Sequence, residues 1–267
     1  MAIRVCVAGA TGWAGAAVTR VILASADFTL TGAVARQQAG NDIGASLGLQ
    51  PAGVLVQPTV ASALRAATDV LIDYTLPDAV KGNALTALAH GVRVVVGASG
   101  LTAADYAEID QVARERGLGV IAAGNFSITA ALAKRFALIA ARYVPSWEII
   151  DYAQSTKIDA PSGTVRELAE ELGRAGQPTL DVPLDQVHGS SETRGADIAG
   201  TRVHSLRLPG YVIAFEAVFG MPDERLSVRH DAGAGAGPYV AGTLLAAEKV
   251  MRTIGLVRGL DRLLFAE

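Results

Sequence analysis

Residues 157–164, which read KIDAPSGT, bring together groups that can bind a carboxylate. Ser162, Gly163 and Thr164 stand directly before a run that predicts a helix over 165–172. The first N–H groups of a helix lack partners within the helix, and with nearby hydroxyl groups they bind carboxylates or phosphates. Lys157 lies just upstream, where its ammonium group can supply a charge or a proton. An ordinary capped helix after a solvated lysine is the alternative interpretation.

A glycine-rich turn follows the first predicted strand. Residues 3–8 form a β-branched run, residues 9–15 read GATGWAG, and a helical pattern comes next. In this context backbone N–H groups and the helix dipole can meet a pyrophosphate, with glycines where a Cβ would collide. A tight turn in an unrelated α/β protein is the alternative. The residues predicted to bind a dinucleotide are Gly9, Ala10, Thr11, Gly12, Trp13, Ala14 and Gly15.

Arg36 bears on the choice of dinucleotide. It follows the second predicted strand (30–35), where an NAD site normally has an acidic residue that accepts hydrogen bonds from the ribose hydroxyls. An arginine at this point can instead pair with a 2′-phosphate, so NADPH is favoured as the cofactor. Asp42 is near enough in sequence to leave NADH possible, and Arg36 could also be a surface residue of a loop.

Strands and helices alternate through the first half of the chain. Further strands are predicted over 69–75, 93–96 and 118–123, with helices over 60–67 and 77–91 and another beginning at Thr102. This alternation predicts a parallel, doubly wound α/β sheet of the Rossmann type in residues 1–126. Ligands of such sheets bind beyond the carboxyl ends of the strands. One cleft should therefore be lined by residues 9–15, Arg36, Tyr74, Thr75, 97–100 and 123–126.

The pattern changes after residue 126. A long helix (128–143), a strand (147–154) and the helix after residue 164 are followed by a polar loop (177–200) and three strands (201–208, 211–219 and 225–230). This order predicts an α+β domain with a mixed, open sheet over 127–237. The final segment, 238–267, is predicted to be helical and to return to the first domain.

Composition excludes several classes of function. Lys and Arg total 23 against 26 Asp and Glu, a net charge of −3 that gives no electrostatic case for nucleic acid or an acidic membrane. The sequence contains no apolar run of membrane-spanning length and begins in a strand pattern rather than a signal peptide. Cys6 is the single cysteine, and the four histidines show no ligand spacing. We expect a cytoplasmic protein without a metal site.

With these residues placed, the chain resembles the 4-hydroxy-tetrahydrodipicolinate reductase family of lysine and diaminopimelate biosynthesis. The segment KIDAPSGT is much more specific to that family than the glycine turn. The resemblance implies hydride transfer from NAD(P)H to a cyclic imine that carries two carboxylates. It also implies a homotetramer built through the sheets of a substrate-binding domain. The segments that carry the resemblance are 9–15, 97–100, 124–127, 148–150, 157–164 and 225–231.

The resemblance further implies roles for individual residues. It places the pyrophosphate on residues 9–14 and the adenosine ribose or its phosphate on Arg36. It matches Lys157 to the proton donor, and Gly163 and Thr164 to the groups that hold a substrate carboxylate. The residues that it places against the nicotinamide are Gly97, Ala98, Ser99, Ala123, Gly124, Asn125 and Phe126.

This sequence departs from the family at three histidine positions. A catalytic histidine and a substrate-contacting histidine are replaced by Ala153 and Gln154, and another is replaced by Ala214. Neither Ala nor Gln titrates near neutral pH, so the first pair cannot supply a proton. Two interpretations stay open: a slow enzyme of the usual pathway, or a paralogue with another substrate. A non-catalytic NADPH-binding sensor or structural protein is the alternative from a different class.

Overall fold

The computed structural model describes residues 1–265, which form two compact units. The first unit comprises Met1–Ile128 together with the chain from Ala236 onward, and the second comprises Thr129–Gly235. None of the helices that the structure describes has the length and apolar character needed to span a bilayer.

The first unit is built on a parallel sheet. Its strands are β1 (Ile3–Ala8), β2 (Phe28–Val34), β3 (Val56–Gln57), β4 (Val70–Asp73), β5 (Arg93–Val96), β6 (Gly119–Ala122) and β12 (Gly255–Arg258). The strand order among the described residues is β12-β6-β5-β4-β1-β2-β3, and every neighbouring pair is parallel. Central strands are rich in valine and isoleucine because both of their faces are buried. The predicted Rossmann-type α/β fold is confirmed.

Helices of this unit follow the strands as the alternating pattern predicts. They are α1 (Trp13–Leu23), α2 (Ile43–Ser46), α3 (Val60–Ala63), α4 (Val80–Ala89), α5 (Ala103–Glu115), α8 (Gly237–Lys249) and α9 (Leu260–Leu264). Thr102 caps α5, and its hydroxyl accepts from the N–H of Asp105, whose carboxylate accepts in return from the N–H of Thr102. The predicted helix over 60–67 is shorter than expected, because the structure ends it at Ala63.

The second unit contains a mixed sheet with helices on one face. Its elements are α6 (Ile128–Ala140), β7 (Ser146–Ala153), α7 (Gly163–Ala175), β8 (Ala196–Ile198), β9 (Thr201–Arg207), β10 (Ile213–Met221) and β11 (Glu224–Ala232). Among the residues described, the strand order is β11-β10-β7-β9-β8, in which only β7 and β9 run parallel. Apolar side chains of α6 and α7 pack on Trp147, Ile149 and Phe215. The predicted mixed, open sheet is confirmed.

Two sequence predictions need correction. The region 177–200 is not wholly a loop, since it contains short 3₁₀ turns and the edge strand β8. The prediction of one helix over 238–267 was wrong: α8 is followed by a 3₁₀ turn, then by β12 and α9, and residues 266–267 lie outside the described part. Strand β12 pairs with β6, and the N–H of Gly255 begins the pairing by donating to the carbonyl of Leu118.

Candidate active site

The glycine turn between β1 and α1 closes more tightly than side chains would allow. A Cβ on Gly15 would lie 2.1 Å from the carbonyl oxygen of Gly9, and a Cβ on Gly9 would lie 2.5 Å from that of Tyr74. Gly9 also has φ +78°, in the left-handed region that favours glycine. Glycines at these two positions therefore allow the backbone to bring the start of α1 to the carboxyl end of the sheet.

The start of α1 has the donor set that a pyrophosphate needs. Gly12 is its N-cap residue and contributes no side-chain hydrogen bond. Helices α2, α3, α5 and α7, by contrast, each begin with a side chain that accepts from the first turn. The N–H groups of Gly9, Ala10 and Gly12 donate within the turn and to Val34. The helix N–H groups that follow fit the phosphate oxygens of a dinucleotide.

A cavity of about 410 Å³ adjoins this turn at the carboxyl ends of β1, β2 and β4. Arg36 contributes the charge to its wall, and the described residues that line it include no carboxylate. Positive charge without an acidic neighbour fits a 2′-phosphate better than a free ribose hydroxyl. The predicted cofactor residues that the cavity brings together are Gly9, Thr11, Gly12, Arg36, Tyr74 and Thr75.

Tyr74 and Thr75 shape this cavity through bonds inside the protein. The Tyr74 hydroxyl lies 2.6 Å from Thr243 Oγ1, and its ring covers Gly97, where a Cβ would come within 2.3 Å of a ring carbon. Thr75 donates its N–H and its hydroxyl to Asp73 Oδ1 at 2.7 and 2.6 Å. Burial raises the pKa of Asp73, and the hydrogen bonds from Thr75 and Asn83 oppose that rise.

The residues predicted to contact the nicotinamide lie at the ends of β5 and β6. The N–H groups of Gly97 and Ala98 both donate to the carbonyl of Asp73, which ties this turn to β4. Ser99 and Gly124 are exposed, whereas Ala123 and Phe126 are buried. The Phe126 ring meets the Tyr74 ring edge-on at 6.4 Å. The Asn125 amide oxygen accepts from the N–H of Ser127 at 2.8 Å.

Trp13 and Ala14 begin α1 beside the same turn. The indole of Trp13 is 61% exposed and meets the Tyr239 ring edge-on at 5.5 Å. This contact fixes the ring without burying it, and its free surface lies next to the helix start.

The second unit presents Lys157 on the connection between β7 and α7. Its N–H donates to the carbonyl of Gln154 at 3.1 Å, and its ammonium nitrogen lies 2.7 Å from Asp159 Oδ1. The ion pair holds the pKa of the Asp159 carboxyl below its usual range. Lys157 is partly exposed, so its ammonium is both oriented and accessible.

Helix α7 begins directly after this connection. Ser162 is its N-cap: the hydroxyl accepts from the N–H of Val165 and donates to Asp151 Oδ1 at 2.8 Å. The Ser162 N–H also donates to Asp151, at 2.9 Å, so this predicted substrate residue is buried and used internally. Gly163 is exposed and Thr164 is half-buried, and these two residues begin the helix that sequence analysis assigned to a carboxylate.

Known proteins match this arrangement along the whole chain. The family model for the N-terminus of dihydrodipicolinate reductase matches residues 3–126, and that for the C-terminus matches residues 126–264. The 4-hydroxy-tetrahydrodipicolinate reductase of Moorella thermoacetica is 40% identical over 264 residues, with 98% of each chain covered. That of Bacillus pumilus is 35% identical over 262 residues, again with 98% of each covered.

The chain belongs to the dihydrodipicolinate reductase family. A dipicolinate-bound dihydrodipicolinate reductase from Paenisporosarcina sp. TG-14 has a TM-score of 0.86 and 29% identity, with 98% of this chain and 99% of that chain covered. An amine dehydrogenase from Mycobacterium smegmatis shares the fold, with a TM-score of 0.69 and 18% identity over 97% and 95% of the two chains. The resemblance inferred from KIDAPSGT is confirmed, and the protein is an NAD(P)H-dependent reductase.

The three positions at which the sequence resemblance implies histidines, here Ala153, Gln154 and Ala214, do not share one environment. Ala153 is fully buried, and Gln154 is exposed just beyond the end of β7. Ala214 pairs with Tyr152 rather than with Ala153, and successive strand residues face opposite sides of a sheet. Ala153 and Ala214 therefore lie on opposite faces, so their substitutions alter two different surfaces.

Tyr152 cannot replace the missing imidazole at Ala153. Its hydroxyl donates to Glu216 at 3.1 Å, and Arg229 lies over its ring. These partners are on the face opposite Ala153, because successive strand residues face opposite sides of a sheet.

Sequence reasoning missed two charged residues beneath the KIDAPSGT segment, Asp151 and Arg207. Asp151 is fully buried on β7, and Arg207 at the end of β9 pairs with it at 2.7 Å. The available signal was a carboxylate on the face of β7 that Trp147, Ile149 and Ala153 make apolar, because buried charges in proteins are paired. The partner is 56 residues away, so local patterns could not identify it.

Proposed function

We propose that this chain reduces 4-hydroxy-tetrahydrodipicolinate, or a closely related cyclic imine dicarboxylate, with NADPH. The observation that carries the proposal is the Lys157 ammonium, oriented by Asp159 on the connection that leads into α7. A protein without catalytic activity would have no need to hold the accessible Lys157 ammonium in a fixed orientation. The names of the full-length relatives support this substrate, and the non-catalytic alternative is not favoured.

Each group has a definite task in this reaction. Bound NADPH would supply the hydride. The helix start at Gly163 and Thr164 would bind one substrate carboxylate through N–H donors. The Lys157 ammonium would place a positive charge next to the substrate. It would also donate a proton to the imine nitrogen, which gains an electron pair when the hydride adds to the C=N bond. Arg36 would bind the 2′-phosphate, which makes NADPH the preferred cofactor, with NADH as a weaker one.

Ala153 and Gln154 favour a second candidate, a paralogue whose substrate has a smaller or less charged second end. Losing a general acid typically lowers a rate by about 10²–10⁴, and neither residue can act as one. The usual substrate would then turn over slowly while another cyclic imine turned over faster. Both candidates use Lys157 and the start of α7, so they differ in substrate rather than in chemistry.

A homotetramer in the cytoplasm completes the proposal. The sheet face opposite α6 and α7 carries the partly exposed apolar residues Ile150, Leu206 and Val218. These residues line a cavity on that face together with Glu148 and His204, and exposed apolar surface on a sheet supports association between copies of the chain. Its biosynthetic relatives and its single buried cysteine are consistent with the cytoplasm.

The test follows NADPH oxidation with freshly generated 4-hydroxy-tetrahydrodipicolinate. We expect Lys157→Ala to lower kcat by about 10²–10⁴, the range for a lost proton donor. The control Lys81→Ala should leave kcat unchanged, because Lys81 pairs with Asp105 and Glu108 in the first unit. A double variant, Ala153→His with Gln154→His, should raise kcat if the usual substrate is the true one.

Other outcomes separate the candidates. Turnover that the double variant does not improve, with faster reduction of another cyclic imine acid, would identify the paralogue. Binding of NADPH without reduction of any imine by the protein or by the double variant would contradict the proposed reaction and favour the non-catalytic alternative.

A further inference from the structure

Asp151 is a fully buried carboxylate at the centre of a donor cluster. Its Oδ2 accepts from the Ser162 N–H at 2.9 Å and from Arg207 at 2.7 Å, and its Oδ1 accepts from the Ser162 hydroxyl at 2.8 Å. The Ser205 hydroxyl adds a longer contact at 3.3 Å. A buried charge requires this degree of pairing, so the cluster fixes Ser162 relative to β7.

Arg207 links the same carboxylate to the other end of the connection. Its Nη2 donates to Asp151 Oδ2 at 2.7 Å and to the main-chain carbonyl of Asp159 at 2.6 Å. Its Nη1 donates to the Leu206 carbonyl at 2.9 Å, which holds the guanidinium in place at the end of β9. The register pairs Asp151 with Ser205 and Ala153 with Arg207, so these side chains share one face of the sheet.

We propose that Asp151 and Arg207 are positioning residues for the ligand-binding segment 157–164. Their contacts hold it at two points, the Asp159 carbonyl and Ser162, three residues apart. The Lys157 ammonium, paired with the Asp159 side chain, lies before the first point, and the start of α7 follows the second. The ammonium and the helix N–H groups thus keep a fixed separation before a ligand arrives, which lowers the entropy lost on binding.

The shape of the guanidinium explains why arginine holds this position. One planar group reaches a carboxylate and three main-chain carbonyls, those of Asp151, Leu206 and Asp159, in fixed directions. A lysine would keep the charge next to Asp151 but lacks the rigid fork. Arg207→Lys should therefore retain the fold and only part of the positioning.

Arg202 provides a matched control on the same strand. It is a buried arginine of β9, whereas Arg207 is half-buried, and it donates to main-chain carbonyls of Arg194 and Gly195 and pairs with Asp197. Arg194 ends the 3₁₀ turn Ser191–Arg194, Gly195 precedes β8 and Asp197 lies in β8, so none of these partners belongs to the segment 157–164. Arg202→Met and Arg207→Met thus remove the same group from side chains that are 8% and 15% exposed.

The first experiment measures steady-state kinetics with the imine and rests on the proposed function. We expect Arg207→Met and Asp151→Asn to raise KM for the imine at least about tenfold, with KM for NADPH within about twofold. Arg207→Lys should restore part of the loss. Equal effects of Arg207→Met and Arg202→Met on KM for the imine would overturn the proposal, because they would indicate general destabilisation.

The second experiment is independent of the reaction. Hydrogen–deuterium exchange of peptides that cover 157–166 should be faster in Arg207→Met than in the unmodified protein and unchanged in Arg202→Met. Unchanged exchange in Arg207→Met would overturn the proposal even if the imine is reduced. If the imine is not reduced but exchange is faster as expected, the proposed function fails and the positioning role stands. Should Arg207→Met not fold, Arg207→Lys decides by the same exchange measurement.

Discussion

Arg36 is the charged residue on which cofactor choice depends. It lines the cavity next to the glycine turn. The described residues that line this cavity include no carboxylate. A hydrogen bond to a charged group contributes about 1.5–3 kcal/mol, so Arg36→Ala should raise KM for NADPH by roughly 10–100-fold. KM for NADH should change little, because that cofactor has no 2′-phosphate.

The control for Arg36 is Arg65→Ala, which removes an exposed arginine that follows α3 in the same unit. Initial rates with each cofactor at saturating imine provide the comparison. A parallel rise in KM for both cofactors would show that Arg36 does not read the 2′-phosphate.

His230 gives the stability a dependence on pH. Its Nε2 lies 3.0 Å from Thr129 Oγ1, and its ring lies against Phe215. Burial lowers the pKa of His230, while the nearby Asp231 charge opposes that change. A histidine whose folded pKa is lowered stabilises the fold above its unfolded pKa of about 6.5, and this stability is lost as pH falls through the folded pKa.

We therefore expect the free energy of unfolding to fall as the pH drops from about 7 to about 5, and to fall less in His230→Gln than in the unmodified protein. Urea unfolding at several pH values measures the difference. His90→Gln, at an exposed site, is the control. Equal pH dependence in His230→Gln and the unmodified protein would rule out this role.

The pattern of residues 162–172 predicted the start of α7, but the surroundings of Ser162 were not predicted. Its hydroxyl looks like a ligand group beside a helix start, yet it is buried against Asp151. That partner lies eleven residues earlier on β7, and Arg207 comes from a strand beyond a long polar region. Local spacing predicts which groups begin a helix, whereas strand pairing decides which of them remain available to a ligand.

Helix α1 depends on glycine in a way that helix α4 does not. A Cβ on Gly15 would lie 2.1 Å from a backbone oxygen, whereas a Cβ on Gly82 within α4 would meet no atom within 4 Å. Gly15→Ala should therefore destabilise the protein by more than about 2 kcal/mol, because backbone must shift, and should weaken NADPH binding. Gly82→Ala should stabilise it by about 0.5–1 kcal/mol.

Chemical denaturation and NADPH titration measure both variants. The two substitutions add the same methyl group inside a helix, so helix propensity alone predicts the same sign for both. A stabilised Gly15→Ala variant with normal NADPH affinity would show that the turn tolerates a side chain.

Elements with strong periodicity were predicted well, and short edge elements were not. Strands β1, β4, β5 and β6 were predicted because they are buried apolar runs followed by glycine, threonine or alanine turns. Strand β8 has three residues, and β12 has four of which three are at least partly exposed, so neither is a buried apolar run. Each forms because a neighbouring strand offers unpaired backbone groups, and that information is absent from the local sequence.

At the scale of the whole molecule, the proposed homotetramer depends on the exposed face of the mixed sheet. Val218 lies on β10 and lines a cavity on this face with Ile150 and Leu206. A glutamate at this position would place an unpaired charge in a buried apolar contact, which is strongly unfavourable. Val218→Glu should therefore convert tetramers to smaller species while each chain stays folded.

Sedimentation velocity at several protein concentrations measures this change, with circular dichroism to confirm folding. Leu55→Glu, at a position 55% exposed in the first unit, is the matched control and should leave the assembly intact. An unmodified protein that sediments as a monomer, or tetramers of Val218→Glu that persist on dilution, would contradict association through this face. Dissociation in Val218→Glu alone would support it, because both variants add the same charge at an exposed or partly exposed apolar site.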